Sequence, residues 1–168
     1  MEELRNKVAE SGLVTIDLDK YYPDQEPMLF DLKNFLFMEM LLKEKDFRES
    51  LEKHDWSQYT QRDVAVFCSS DAIVPLWAHM LIASKLLGIA HAVIAGDRDE
   101  AIKKTFIANI NAIDAREFEG KRVVVKGCGD REIPSYAYVE ISNKLLPVVK
   151  SLMYGEPCST VPVYKRKQ

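Results

Sequence analysis

Hydrophobic and polar residues alternate along this chain with the periods of strands and of helices. Val14–Leu18 has the two-residue period of a half-buried strand, and Met28–Leu32 predicts a second strand. Three near-continuous apolar runs, at 64–68, 92–95 and 123–125, predict strands that are covered on both faces. We expect the first two strands to form an antiparallel pair at the edge of the sheet.

Helices are expected between and around these strands. The predicted helices lie at residues 2–10, 46–54, 75–87, 99–112 and 134–153, the last with a kink at Pro147. Thr160–Tyr164 is expected to add a closing strand. No linker rich in proline, glycine or serine divides the 168 residues. The pattern therefore predicts a single α/β domain over 1–168, with a largely parallel sheet, alternating helices and the antiparallel strand pair at its edge.

One part of the pattern occurs twice. Residues 75–87 align with 134–146 without a gap, and a cysteine and an Asp-containing loop precede the proline that begins each segment. The repeat predicts two strand–cysteine–loop–proline–helix units, at 64–87 and 123–146, with Cys68 and Cys128 at matching points. Because ligands bind beyond the carboxyl ends of parallel strands, both cysteines are expected at a binding edge.

Composition and charge exclude several classes of partner. A hydrophobic content of 47% is that of a globular protein, and a net charge of -3 leaves no broad basic surface for nucleic acid. The densest apolar stretch, residues 35–42, is too short to cross a bilayer, so no membrane partner is expected. The charged N-terminus lacks the apolar core of a secretory signal, which predicts a cytoplasmic protein with reduced thiols.

Three cysteines are the candidate metal ligands: Cys68, Cys128 and Cys158. Their sulfurs converge if the segment around Cys158, after the last helix, folds back over the strand ends. Thiolates select zinc, copper(I) or iron–sulfur chemistry, and three cysteines with one other donor suit a zinc site or an iron–sulfur cluster. The candidates for the fourth ligand are Asp71, Asp130, Glu156, His79 and His54.

Each candidate also has a plainer interpretation. Free cysteine is often a small buried hydrophobe, and Asp71 and Asp130 precede helices that they would cap. His79 falls in an apolar helix and fits a core histidine, whereas His54 lies at a helix C-terminus, where the dipole favours it. A reversible disulfide between the two repeated cysteines is a further alternative.

A second class of function uses the same strand ends without a metal. In a small-ligand-binding protein or enzyme, Asp71 and Asp130 would hold a polar ligand and the cysteines would only line the pocket. The glycine-containing segment 126–130 is too short for a phosphate loop, so no nucleotide cofactor is indicated. A third alternative is an interaction protein whose cysteines are merely buried. The pattern leaves open whether the protein is an enzyme.

Distinctive segments along nearly the whole chain resemble a bacterial family of unknown function, number 2480. These segments are 11–15, 54–59, 68–75, 125–130 and 155–164. The family has no established activity, so the resemblance supplies no catalytic residue. It implies an association with iron–sulfur cluster assembly, and with it a protein partner in metal or cluster handling.

Overall fold

The computed structural model describes residues 12–127, 129 and 131–167. Its strands are β1 Leu13–Asp17, β2 Met28–Asp31, β3 Asp63–Phe67, β4 Ala92–Ala95, β5 Arg122–Lys126, β6 Ser151–Glu156 and β7 Ser159–Lys165. Its α-helices are α1 Glu44–Glu52, α2 Leu76–Leu86, α3 Arg98–Asn111 and α4 Ser135–Leu145. Within the described residues, no helix is long and apolar enough to cross a membrane.

The strands form two sheets, with the orders β1-β5-β6-β7 and β2-β3-β4. Every neighbouring pair is parallel except β6 and β7, which are antiparallel. The predicted class, α/β with mostly parallel strands, is confirmed. The chain divides into two compact units. We call Asp24–Lys104 the central unit, and we call the residues up to Pro23 together with those from Thr105 onward the split unit. A single domain over 1–168 stays a prediction, as does the helix at 2–10, which lies outside the described residues.

The predicted antiparallel pairing of the first two strands is wrong. β1 is parallel to β5 and β2 is parallel to β3, so they belong to different sheets, each at an edge. A short 3₁₀ helix follows each strand, at Leu18–Tyr21 and Leu32–Phe35. Asp17 and Asp31 cap these helices by accepting hydrogen bonds from backbone N–H groups two residues on. The caps turn the chain out of the strand, so no hairpin forms.

The last predicted helix is also partly wrong. α4 ends at Leu145, the chain turns over the next five residues, and the predicted range ends within strand β6, which begins at Ser151. Pro147 has no N–H group and cannot continue the hydrogen-bonding pattern of a helix. Instead, Val148 and Val149 donate their N–H groups to the carbonyl of Leu145, at 2.9 and 3.0 Å, and the chain turns back to the sheet. Val149 is fully buried in this turn.

The two units have the same construction at positions 59 residues apart, the spacing of Pro75 and Pro134. Each proline is the N-cap of its helix, so the helices begin at Leu76 and Ser135, one residue later than the sequence predicts. Two backbone hydrogen bonds occur at equivalent positions in both units. In the central unit, the N–H of Gln61 donates to the carbonyl of Ile89 and the N–H of His91 to that of Arg62. In the split unit, the N–H of Gly120 donates to the carbonyl of Val148 and the N–H of Lys150 to that of Lys121. The equivalence therefore extends beyond the proline helices to the loops that join them to the strands.

Each unit encloses its own hydrophobic core, and the two cores use equivalent positions. The central unit buries Phe47, Leu51, Tyr59, Val64, Val66, Ala78, Ile82 and Leu86. The split unit buries Phe106, Ile110, Phe118, Val123, Val125, Ala137, Ile141 and Leu145. Each residue of the first set has its counterpart 59 positions later in the second. Differences between the units therefore indicate where one unit has a role that the other lacks.

Candidate functional site

Charged side chains end the three parallel strands of the split unit. Asp17 is the last residue of β1, Lys126 of β5 and Glu156 of β6. The Lys126 Nζ lies 3.5 Å from Asp17 Oδ2 and 3.8 Å from Glu156 Oε1. This lysine therefore holds two carboxylates at the carboxyl edge of the sheet, which is where α/β proteins bind ligands.

Asp19, two residues after β1, has an enclosed carboxylate oxygen. Its Oδ1 has no hydrogen-bond partner within the described residues. The Nε of Arg131 is 3.9 Å away, close enough for ion pairing but too far for a hydrogen bond. A methyl group added to Gly129 would lie 3.0 Å from the Asp19 carboxyl carbon. An enclosed oxygen without a donor costs about 1–3 kcal/mol, so a ligand that donates to it would be bound more tightly.

An apolar cavity of about 320 Å³ opens near the carboxyl ends of β5 and β6. Its walls include Val125, Tyr138, Asn143, Met153, Tyr154 and Val163. The lining is mostly aliphatic and aromatic, with hydroxyl and amide groups from α4. Small-molecule sites typically have volumes of about 300–1,000 Å³ and few polar groups. The cavity therefore has the size and chemistry of a small-ligand pocket.

Tyr138 connects this cavity with the end of β5. Its ring lines the cavity and meets the Tyr154 ring edge-on, with centroids 5.5 Å apart and planes at 71°. Its hydroxyl lies against Gly127, where an added Cβ atom would collide with it. Gly127 therefore allows the phenol to reach the strand end. In the central unit, Cys68 is equivalent to Gly127 and His79 is equivalent to Tyr138. The central unit therefore has a side chain where the split unit has glycine, and an imidazole where the split unit has the longer phenol.

The structure describes two of the three cysteines. Cys68 follows β3 in the central unit, is half-buried, and has its Sγ 3.3 Å from the Oγ of Ser70. Cys158 lies in the turn between β6 and β7 of the split unit, is exposed, and is likewise a free thiol. Cys128 lies outside the described residues. Convergence of the three sulfurs therefore stays a prediction.

The structural repeat corrects the alignment of the two cysteines. At the spacing of 59 residues, Cys68 is equivalent to Gly127, and Cys128 is equivalent to Ser69. The cysteines therefore differ by one position in the repeat and do not match. In the central unit, Ser69 donates its N–H and hydroxyl groups to Asp31 at 3.0 and 2.5 Å.

Asp31 is the counterpart of Asp17, and its capping interactions determine its charge. Burial alone would raise the pKa of Asp31, but the hydrogen bonds from Ser69 and from the N–H of Lys33 outweigh it. The pKa of Asp31 is therefore below its ordinary value. This carboxylate stays ionised and is occupied in holding the loop after β3, which leaves it little capacity for a ligand.

The candidate fourth ligands are distributed between the two units. Asp71 is exposed and does not cap α2, whose N-cap is Pro75, so the capping prediction for it is wrong. Asp130 lies outside the described residues. His79 has an enclosed Nδ1 without a hydrogen-bond partner in the described part of the chain. Among the candidates that the structure describes, only Glu156 is found in the charged group at the strand ends, beside Lys126.

His54 is part of an aromatic cluster in the central unit. Its ring is 4.8 Å from the Trp56 ring and 5.4 Å from the Phe30 ring, measured between centroids. Its Nε2 is 3.1 Å from the Tyr59 hydroxyl oxygen. Burial lowers the pKa of His54, and the nearby charge of Asp55 opposes that effect without cancelling it. These contacts are those of a core histidine.

Among the described residues, no three or more side chains of His, Cys, Asp or Glu are grouped so that they could hold a metal ion. Cys128 and Asp130 are not included in that finding.

Sequence reasoning missed the residues that form the candidate site: Asp17, Asp19, Lys126, Arg131 and Tyr138. The available signal was weak, because each charged residue is common at the end of a strand. Their proximity depends on the pairing of β1 with β5, which places Asp17 opposite Lys126. That pairing joins segments more than a hundred residues apart in the chain.

The fold and this site define a mixed α/β protein with parallel strands, proline-capped helices and charged residues at a carboxyl strand edge. The model of the family described as "Protein of unknown function (DUF2480)" matches residues 2–166, and the chain belongs to this family. The resemblance seen in the sequence is thereby confirmed. No curated protein and no solved structure matches the chain.

Proposed function

We propose that the split unit binds a small organic ligand that has an apolar body and a hydrogen-bonding head. The apolar cavity of about 320 Å³ near the carboxyl ends of β5 and β6 is the observation that carries this proposal. Tyr138 links the cavity with the strand end, where Lys126, Asp17 and Glu156 supply charge. In this proposal the cysteines do not hold the ligand.

The two ends of the proposed site have different roles. The body of the ligand is removed from water by packing against Met153, Val163 and the two tyrosine rings. This burial of apolar surface supplies most of the binding energy. The charged groups and the enclosed Asp19 oxygen select the head by hydrogen bonding. The central unit has Val93, Ile94 and Ala95 where the cavity has Leu152, Met153 and Tyr154. The aromatic wall is therefore specific to the split unit.

Cavity filling tests the proposal. A library of small aromatic amines, alcohols and carboxylates is screened against the full chain by ligand-observed NMR, and hits are titrated. Val139→Phe fills the cavity from an exposed position on α4, so it is expected to weaken binding by about tenfold or more without unfolding the protein.

Val161→Phe is the matched control, because Val161 is equally exposed but does not line the cavity. It is expected to change the dissociation constant less than twofold. An absence of hits, or equal weakening by the two variants, would contradict a ligand site in this cavity.

A second proposal is a metal- or iron–sulfur-binding role for Cys68, Cys128 and Cys158, accessory to metal or cluster handling. The topology of the split unit supports it in part. Gly127 and Cys158 follow β5 and β6, which are adjacent and parallel, so both segments leave the sheet at the same edge. The free thiols of Cys68 and Cys158 fit zinc, iron or an iron–sulfur cluster. They also fit a reducing cytoplasm.

Metal analysis after purification without oxygen tests this second proposal. The full chain is expected to contain about one zinc ion, or the iron of one cluster, per molecule, and Cys128→Ser is expected to remove most of it. Ser159→Ala, next to Cys158, is the control and should retain the metal. Protein that contains no zinc, iron or copper, even after reconstitution, would exclude the role.

A further inference from the structure

α2 of the central unit exposes large apolar side chains along one face. Leu76 and Met80 are 82% and 72% exposed, and Ala83 follows on the same face. Leu87, directly after the helix, is 83% exposed, and Ile73, three residues before it, is 90% exposed. We call these five residues the α2 seam. Contiguous apolar surface of this kind usually marks an interaction site.

The spacing within the α2 seam is that of a helix–helix contact. Leu76, Met80 and Ala83 lie within α2 and are separated by four and three residues, the intervals at which apolar residues meet a second helix, and Ile73 and Leu87 flank the helix. The opposite face of α2, with Ala78, Ile82 and Leu86, is fully buried in the core of the central unit. A helix that is apolar on both faces is normally covered on both.

The split unit shows that the fold does not require this apolar face. The positions of α4 and its flanks equivalent to the α2 seam are Glu132, Ser135, Val139, Ser142 and Leu146. Three of these five residues are polar, although α4 packs on its own core as α2 does. The apolar seam is therefore a property of α2 itself.

We propose that the α2 seam joins two copies of this chain through an antiparallel pair of α2 helices, with the twofold axis near Met80. The sequence of the seam is almost symmetrical about Met80. Ile73 and Leu87 lie seven positions before and after it, Leu76 lies four positions before it, and Ala83 lies three positions after it. In an antiparallel pair, Leu76 of one copy lies opposite Ala83 of the other. A large side chain then packs against a small one, and the same patch serves both copies.

Charge and area favour a second copy as the partner. Residues 72–84 contain no Asp, Glu, Lys or Arg, so two seams meet without like-charge repulsion and without burying a charge. Interfaces between identical chains are the most apolar class, and those with other proteins contain more polar area. Ile73, Leu76, Met80 and Leu87 are between 72% and 90% exposed, so they can form the apolar centre of an interface, and a standard interface buries roughly 800 Å² on each partner.

A charge-swap experiment at Met80 tests the proposal. Sedimentation of the wild-type chain is expected to show a dimer of twice 19.2 kDa at micromolar concentrations. Met80→Lys places two like charges at the twofold axis and is expected to raise the dimer dissociation constant by about 100-fold or more. Because Met80 is exposed, the variant should retain the circular dichroism of the wild type.

Two further samples make the result specific. Val139→Lys puts the same charge at the equivalent exposed position of α4, and this variant should remain dimeric. An equimolar mixture of Met80→Lys and Met80→Glu should form a heterodimer, because opposite charges then meet at the axis. Recovery in the mixture would place Met80 opposite Met80 of the second copy, as the proposed twofold pair requires.

Three outcomes would overturn the proposal. The first is a wild-type chain that is monomeric at tens of micromolar. In that case, the sedimentation of a chain lacking residues 1–11 tests whether the N-terminal segment covers the seam instead, since its removal would then allow dimers to form. The second is a dimer that persists equally in the lysine variants at positions 80 and 139. The third is a mixture of the two Met80 variants that stays monomeric. None of these outcomes bears on the ligand cavity, which lies in the other unit.

Discussion

Phe106→Ala is expected to lower the free energy of unfolding by about 3–5 kcal/mol, one of the largest effects of any single substitution in this chain. Phe106 is fully buried in the core of the split unit. Its ring meets the rings of Tyr22 and Tyr136 edge-on, with centroids 5.2 and 6.1 Å away. Truncation removes these contacts and leaves a cavity that a close-packed core cannot fully close. Urea unfolding followed by circular dichroism measures the loss.

The equivalence of the two units supplies a matched comparison for this prediction. Phe47, the counterpart of Phe106, is 1% exposed and packs against Phe35 and Trp77, so Phe47→Ala should cost the central unit a similar amount. Phe37→Ala is the control, because Phe37 is 47% exposed. The Nζ of Lys43 lies 3.4 Å from the centroid of its ring. That cation–π contact contributes about 0.5–1 kcal/mol. A loss for Phe106→Ala no greater than for Phe37→Ala would contradict the described core.

Gly127→Ala is expected to destabilise the split unit by about 1–3 kcal/mol, the usual cost of overpacking. The new Cβ atom would collide with the Tyr138 hydroxyl and would lie 3.0 Å from the Cγ1 of Ile133. Either Tyr138 leaves its position or the loop after β5 shifts. Since the Tyr138 ring also lines the cavity, the same substitution should weaken ligand binding there.

A double-mutant cycle separates this collision from a general effect of the alanine. Tyr138→Phe removes the hydroxyl, so Gly127→Ala should cost less in the Tyr138→Phe background than in the wild type. The pair from the central unit gives a second cycle, because Gly127→Cys combined with Tyr138→His copies the residues at 68 and 79. This double variant should be more stable than Gly127→Cys alone. Additive costs in both cycles would show that the hydroxyl does not occupy the space beside Gly127.

Several elements could be predicted because their signals are local. The predicted proline-led helix at 75–87 corresponds to α2, the first part of the one predicted at 134–153 corresponds to α4, and the closing strand at 160–164 lies within β7. The start of α3 is also locally encoded, since the carboxylate of Asp97 accepts a hydrogen bond from the N–H of Glu100 at 3.0 Å. Each of these features depends on residues within a few positions of one another, where backbone geometry and apolar periodicity dominate.

The errors concern interactions that are distant in the chain. The predicted helix extends into the first residues of β6 because Pro147 allows either a kink or an end, and the pairing of β6 with β5 selects the end. β1 and β2 were paired with each other because they are neighbours in the sequence, although their capped 3₁₀ helices lead each to a different sheet. The predicted match of Cys68 with Cys128 is off by one residue, because these cysteines are 60 residues apart, whereas the prolines and the strands of the two units are 59 residues apart.

The sequence by itself determined the alternation of strands and proline-capped helices and the spacing at which the two units repeat. Apolar period, proline and aspartate caps act within single elements, so they can be interpreted without the fold. Only the tertiary structure decided which strands pair, and therefore that Asp17, Lys126 and Glu156 meet at one edge near an apolar cavity. It also decided which face of α2 stays exposed. The strand pairing and the exposed face of α2 both depend on which surfaces are buried between segments far apart in the chain. A local sequence pattern does not contain that information.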